Sequence, residues 1–488
     1  MMLEIRTGNE DIDRACELAA RTLKTNVSEK WGRICPTLAP VWSPSYPAWT
    51  HPFDNFWMNK VTPYLYPKDQ VEWTVILFSK YQRPTGMIGW GVHDCDSPEA
   101  TQAQFTEIGL DKVIEESVGS RYIRDHLYII QVHDLWWHYG DLDLARELFP
   151  SCRKSFEYLY SLKDQDGDGL IETADIIEDI DIGSTQNRTG PNDAERFVEQ
   201  SMLYGALVHY AKLADALGES SEAETARSRA SDLAKKVNDL YWNEKGYYIF
   251  ALDSKTHERL HEETTSTYGN GYGVLWGLVP PERVDRVLDY LTSWEFEVPG
   301  PVIVPPLDVP TSHLHKEVNL PPGVYANGGC GWGRGYMPSV CLALFARGRE
   351  DIANSYIRKM AKAANQAEGF FEYWTWEKYT GHTTPRGCRD YSETASAFLD
   401  SVIHGYFGLS ALEPGWKSLR FAPRPIPEKD CSITLDLPSG DFTAELKYSD
   451  KGATICLKSG IARIVEVEVS GFAPKRFIVK GEWEVRMG

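Results

Sequence analysis

Carboxylates set among aromatic side chains are the residues of this sequence best suited to moving protons. In Gly369-Phe370-Phe371-Glu372-Tyr373-Trp374-Thr375-Trp376-Glu377, five aromatics surround two glutamates. Apolar neighbours desolvate a carboxylate and can move its pKa to where it works as an acid or base near neutrality. The alternative for such a segment is an aromatic cluster whose glutamates merely point to water. A second segment, Tyr325-Ala326-Asn327-Gly328-Gly329-Cys330-Gly331-Trp332-Gly333-Arg334-Gly335, sets glycines around one Trp and one Arg. It has no strand before it and no Lys-Ser/Thr pair, so it does not read as a phosphate loop. Its glycines instead let backbone amides, Asn327, Trp332 and Arg334 approach a polar ligand closely.

Two further stretches concentrate carboxylates. Asp164-Gln165-Asp166-Gly167-Asp168-Gly169-Leu170 starts like a calcium-binding EF-hand loop, but the twelfth position is Asp175 rather than a bidentate Glu. A plain turn between helices uses the same Asp and Gly residues. The expectation is a turn and no metal, with adventitious Ca²⁺ as the alternative. The polar stretch from Thr173 to Pro191 is long for a helix connection and carries Asp175, Glu178, Asp179 and Asp181. Loops of that length in compact domains are often functional.

The elements that must hold these residues are mainly helices. Leu203, Leu207, Tyr210, Ala214 and Leu217 recur at spacings of three and four, as do Ala223, Ala226, Ala230, Leu233, Val237 and Leu240. At Tyr139-Gly140-Asp141, Leu217-Gly218-Glu219 and Arg347-Gly348-Arg349, one helix stops at a glycine and acidic residues open the next. These joints predict repeated antiparallel helical hairpins. The region holds about a dozen helices of average length, hence about six hairpins, enough for an (α/α)6 barrel. After Pro414 the pattern changes to short alternating runs such as Ser432–Leu437 and Phe442–Tyr448, separated by turn residues. The expected division is a helical domain over 1–412 and a small antiparallel β-domain over 413–488.

The chain has 488 residues and a formal charge of −19. Such a field repels phosphate backbones, which argues against nucleic acid as a partner. No apolar run approaches the ~20 residues of a membrane span. The start, MMLEIRTGNEDID, lacks the basic and apolar regions of a secretory signal, and the nine cysteines form no CxxC pair. A cytoplasmic protein with reduced thiols is expected. Trp and Tyr number 16 and 25, which suits either stacking on sugar faces or a large solenoidal core.

On these motifs the chain resembles the six-hairpin glycosidases: processing-type α-glucosidases and mannosylglycerate hydrolases, trehalases, amylo-α-1,6-glucosidases and α-L-rhamnosidases. His51-Pro52-Phe53-Asp54-Asn55-Phe56-Trp57 is similar to their Trp-Asp-Ser-Phe-Phe element, with Phe53 in place of the usual Trp. Asp164–Leu170 is similar to their Asp-Pro-Asp-Gly-Asp-Gly-Leu turn, and Val198-Glu199-Gln200-Ser201-Met202-Leu203-Tyr204 to their Val-Glu-Ile-Asn-Ala-Leu-Trp helix. Gly369–Trp374, Tyr379-Thr380-Gly381 and Arg389–Ala395 resemble their Phe-Glu-Tyr-Tyr, Thr-Gly and Asp-Phe-Ser-Trp-Thr-Ala series. The region after Pro414 resembles the C-terminal module of α-L-rhamnosidases.

The resemblance implies a mainly α fold, an (α/α)6 toroid of helical hairpins followed by a β-sandwich. It implies an inverting hydrolase of an α-glycoside or oligosaccharide that needs no cofactor. In that scheme Asp181 is the general acid and Glu372 the base, their carboxyls ~6.5–9.5 Å apart to admit water. Asp179 and Asp193 remain alternatives to Asp181, because the loop lacks the family's aromatic-Asp motif. Asp54, Glu199 and Arg389 would hydrogen-bond sugar hydroxyls, while Trp57, Trp332 and Trp374 would stack on rings. Three other readings stay open: a sugar epimerase using histidines (His51, His93, His126, His133, His382 and His404), a phosphorylase, and a non-catalytic sugar-binding protein.

Overall fold

The computed structural model describes residues 3–29, 35–40, 43, 49–89, 92–93, 124–172, 194–260, 262, 265–293, 324–325, 336–377, 383–424, 429–438, 440–449, 452–469 and 473–487. Its helices are α1 (Glu10–Thr25), α2 (Pro52–Met58), α3 (Lys68–Lys80), α4 (Asp125–Tyr139), α5 (Leu142–Leu162), α6 (Phe197–Leu217), α7 (Ser220–Leu240), α8 (Thr267–Trp276), α9 (Pro281–Thr292), α10 (Tyr336–Ala346), α11 (Glu350–Ala367) and α12 (Ser392–Asp400). A π-helical turn, Ser401–Tyr406, prolongs α12.

The hairpin joints form as their residues dictate. Gly140 and Gly218 take φ of 70° and 83°, the left-handed conformation that ends α4 and α6. Asp141 then caps α5, its carboxylate accepting from the backbone N–H of Asp143 and of Leu144, both at 3.0 Å. The two members of a hairpin differ in pattern. On α7 the buried residues are Ala223, Ala226, Ala230, Leu233 and Val237, a single apolar face. On α6 burial runs nearly all round, from Phe197 through Leu203 and on to Ala214. α6 packs against α4 and α8, α8 against α10, α10 against α12, and α12 against α2, which returns to α4. No helix among the described residues is long and apolar enough to cross a membrane.

After α12 the chain enters one curled seven-stranded sheet rather than two separate sheets. Cys431–Leu437, Gly440–Ser449 and Gly452–Val467 pair antiparallel in sequence order, and Lys475–Met487 runs along the whole of the last. That long strand bends between Ser459 and Arg463; its first half pairs with Gly440–Ser449 and its second half, in parallel, with Ser418–Phe421. Buried Arg463 secures the bend, donating to Ser459 Oγ at 3.1 Å, to the Trp416 carbonyl at 2.7 Å and to the Gly440 carbonyl at 2.8 Å.

The division at residue 412 needs correction. Leu3–Arg6 forms the outer strand of this sheet, with Leu3 opposite Leu435 and Ile5 opposite Ile433, and Ser410–Ala411 forms the other outer strand. A four-residue strand carries too little periodicity to announce a partner so far along the chain.

Candidate active site

Polar side chains gather where α2, α4, α6 and α12 begin, together with the hairpin of strands Phe371–Glu377 and Thr383–Arg389. Helix N-termini present unpaired N–H groups and a positive dipole end, which favours carboxylates there.

Glu372 lies in the first of those strands and is buried. One carboxylate oxygen accepts from the backbone N–H of Cys388 across the hairpin at 3.1 Å, and its carbonyl accepts from Thr394 Oγ1 of α12 at 3.4 Å. Two residues on from Arg389, the chain turns through Tyr391, whose hydroxyl donates to Asp54 of α2 at 2.5 Å. The other oxygen of Asp54 stands 3.3 Å from His51 Nδ1. Cys388, Tyr391, Met58, Leu38 and Ala39 form a small apolar cluster that joins the strand paired with that of Glu372 to the Asp54 helix.

Glu199, in the first turn of α6, is fully buried and meets His126 Nε2 of α4 at 2.7 Å. The backbone N–H of Leu127 donates to His126 Nδ1 at 2.8 Å, so the ring proton sits on Nε2 and is donated to Glu199. The second oxygen of Glu199, Oε1, is buried with no hydrogen-bond partner among the described residues. A buried carboxylate oxygen held dry in that way is expensive unless a donor arrives. Arg124, just before α4, is also buried and lies over the Phe53 ring at 4.8 Å, beside Asp54. Behind them Asp125 accepts from the Ile88 N–H at 2.9 Å, and burial pushes its carboxyl up to about 7. Burial likewise lowers Lys163 to about 8, opposed by the nearby charges of Asp125, Glu199 and Glu172. Glu393, at the start of α12, adds a fifth buried carboxylate.

Of the residues expected to act, Glu372, Asp54 and Glu199 stand in this polar region. Two others need correction. Trp57 is 1% exposed, its indole N–H donates to Tyr272 Oη at 3.0 Å, and Phe53 and Phe56 abut its ring. It packs α2 against α8 and offers no open face to a sugar. Arg389 is exposed, donates to the Glu368 carbonyl at 2.7 Å and lies 3.7 Å from Asp390. It lines an outer groove with Arg14 and Arg21 of α1, because alternation along its strand turns it away from its neighbour Cys388.

Asp181, Asp179, Asp193, Asn327, Trp332, Arg334 and His382 lie outside the described residues, as do the side chains of Trp374 and His93. His133 and His404 stand further along their helices, against Asp134 and Asp400. Tyr391, Arg124 and Glu393 were not singled out from sequence. Each is a polar residue next to an inner-helix start, and that position was the available signal.

A family model, the six-hairpin glycosidase domain of bacterial α-L-rhamnosidases, matches residues 119–295. A rhamnosidase of glycoside hydrolase family 78 from Bacillus sp. GL1 superposes with a TM-score of 0.68 at 17% identity, covering 96% of this chain and 42% of that one. The fold is that of the six-hairpin glycosidases. An α-L-rhamnosidase from Dictyoglomus thermophilum gives 0.67 at 14% identity, over 99% of this chain and 50% of its own. A mannosylglycerate hydrolase of family 63 from Thermus thermophilus, complexed with glucose, gives 0.55 at 16%, over 78% and 98%. The chain thus spans half or less of the two rhamnosidases. No protein of curated function matches it in sequence. Within the six-hairpin frame, His126 and Glu199 fall inside the matched segment, while Asp54 and Glu372 lie outside it.

Proposed function

We propose that this chain is a glycoside hydrolase built on a closed (α/α)6 toroid, which hydrolyses a small α-glycoside or oligosaccharide with inversion. The cyclic packing of α2, α4, α6, α8, α10 and α12 supports closure. The observation that carries the function is the set of buried carboxylates at the inner helix starts, with Glu199 Oε1 lacking a donor among the described residues. A sugar ring offers many hydroxyl donors to such acceptors, and few other neutral ligands do.

In this reading Glu372 is the general base that takes a proton from water as it attacks the anomeric carbon. The Cys388 N–H fixes the orientation of its carboxylate. Asp181 is the general acid that protonates the departing oxygen, with Asp179 and Asp193 as the alternatives. Asp54, held by Tyr391, and Glu199, held by His126, bind hydroxyls of the sugar in the reactive subsite. Asn327, Trp332, Arg334 and Trp374 complete the subsite. An epimerase would need histidines free to exchange protons with the sugar, whereas His126 is fully buried and engaged with Glu199.

The test is a panel of aryl glycosides and disaccharides with product anomers followed by NMR. Aryl α-L-rhamnosides come first, given the two rhamnosidases. Inverted product supports the reading; retained product, or binding without turnover, overturns it.

A further inference from the structure

The turn between α5 and the strand Ala194–Arg196 holds more charge than its hydrogen bonds explain. Asp164 Oδ2 accepts from the Gly169 N–H at 3.0 Å, Asp166 Oδ1 from Asp168 at 3.0 Å, and Asp168 Oδ1 from Leu170 at 2.7 Å. Each carboxylate therefore commits one oxygen to the turn, and the second oxygen of Asp168 meets Lys236. The remaining oxygen of Asp164, Oδ1, is buried with no hydrogen-bond partner among the described residues.

Glu195 supplies an independent observation. It stands on the strand Ala194–Arg196, is 0% exposed, and neither of its oxygens has a hydrogen-bond partner among the described residues. One ligand atom each from Asp166, Glu195 and His257 lie within 4.8 Å of one another, and so do atoms from Asp164, Asp166 and Asp168. Asp166 is common to both sets. Against these four carboxylates stand Lys236, 2.9 Å from Asp168 Oδ2, and the His257 ring, 3.5 Å from both Asp168 Oδ2 and Glu195 Oε1. Lys236 donates to the Asp168 carboxylate and also to the Asp168 carbonyl. A buried carboxylate oxygen that accepts no hydrogen bond is unfavourable, and a bound cation removes that penalty.

We propose that Asp164, Asp166, Asp168 and Glu195 form a structural Ca²⁺ site. All four donors are hard oxygens, which favour Ca²⁺ or Mg²⁺ over zinc and other softer metals. Three side chains from one turn, with a glutamate able to bind through both oxygens, suit the higher and more flexible coordination of Ca²⁺. Glu195, from a separate strand, takes the place that a twelfth-position Glu holds in a continuous loop. In sequence the two halves of the site flank residues 173–193, so the ion fastens the chain on either side of the stretch that carries Asp179 and Asp181. The site does not depend on the hydrolytic reading, because its ligands are not the residues assigned to the reaction.

The experiment is isothermal titration of the chelator-stripped full chain with Ca²⁺ and with Mg²⁺, paired with thermal unfolding in each. The expected result is one Ca²⁺ per chain with Kd between about 10⁻⁷ and 10⁻³ M. Tm should rise by a few degrees in Ca²⁺ and by less in the same concentration of Mg²⁺. Glu195→Gln and Asp166→Asn should each weaken binding about tenfold or more. Asp166 is exposed, so its variant reports on the site even if Glu195→Gln folds poorly. Asp143→Asn, at an exposed position on α5, should bind as the parent does. Absence of binding heat with an unchanged Tm overturns the proposal. So does Ca²⁺ binding that survives both Glu195→Gln and Asp166→Asn.

Discussion

At the starts of α2, α4, α6 and α12, the interior holds Asp54, Asp125, Glu199 and Glu393, with Arg124 and His126 among them. Across the C-terminal sheet the buried positions include Ile433, Leu435, Phe442, Ala444, Leu446, Ile455, Leu457, Val465 and Val467, and the buried charge among the described residues is Arg463. The two regions bury charge differently. Every nitrogen of the Arg463 guanidinium donates to an oxygen of the sheet or its connections. Among the described residues Glu199 is answered on one oxygen only. A buried charge that is fully paired shapes a fold, whereas one left with an open acceptor is shaped for something that arrives later.

That contrast breaks if variants in the two regions do not separate activity from stability. The largest effect is expected at Glu372. Glu372→Gln should lower kcat by about 10²–10⁴-fold with little change in KM or Tm, while Glu377→Gln should be tolerated far better. Should Glu377→Gln be the more damaging, the base is misassigned.

Next comes the acid. Asp181→Asn should cripple hydrolysis of disaccharides yet spare aryl glycosides whose leaving group departs unprotonated, and it should flatten the alkaline limb of the pH–rate profile. The same ratio measured for Asp179→Asn and Asp193→Asn decides among the three carboxylates.

In the sheet the expectation inverts. Arg463→Met leaves the Trp416 and Gly440 carbonyls unanswered and should cost about 3 kcal/mol in urea unfolding, with kcat unchanged. Loss of activity at unchanged stability would undo the distinction. The smallest pair sharpens the two corrections. Trp57→Phe should cost about 1 kcal/mol through the lost bond to Tyr272 without raising KM, and Arg389→Ala should stay within about 0.5 kcal/mol with native kinetics. A tenfold rise in KM for either would return that residue to the subsite.

Helical hairpins were legible because glycine at a joint and apolar spacing within a helix are local signals. Gly140, Gly218 and the face Ala223–Val237 sit as their spacing requires. The Glu372 segment was legible because single charges among aromatics are rare enough to stand out. Trp57 misled for the same reason: an aromatic on a motif looks alike whether it faces a ligand or a core, and the Tyr272 partner that decides it lies far along the chain. Tyr391 and Arg124 were invisible because their roles come from which helix starts converge, and convergence is not written in any one stretch of sequence. Leu3–Arg6 shows the same limit at the level of topology.

That outer strand also orders events in time. Hairpins such as α6–α7 join neighbours in sequence and can form as soon as they leave the ribosome. Leu3 must instead wait for Leu435, and the carbonyl of Thr7 for the hydroxyl of Tyr406. Until Cys431–Leu437 is made, Leu3–Arg6 has no edge of this sheet to join. In pulse-labelled refolding, amides of α6 and α7 should gain protection before those of Leu3–Arg6. The pairing of Leu3–Arg6 with Cys431–Leu437 thus closes late in assembly.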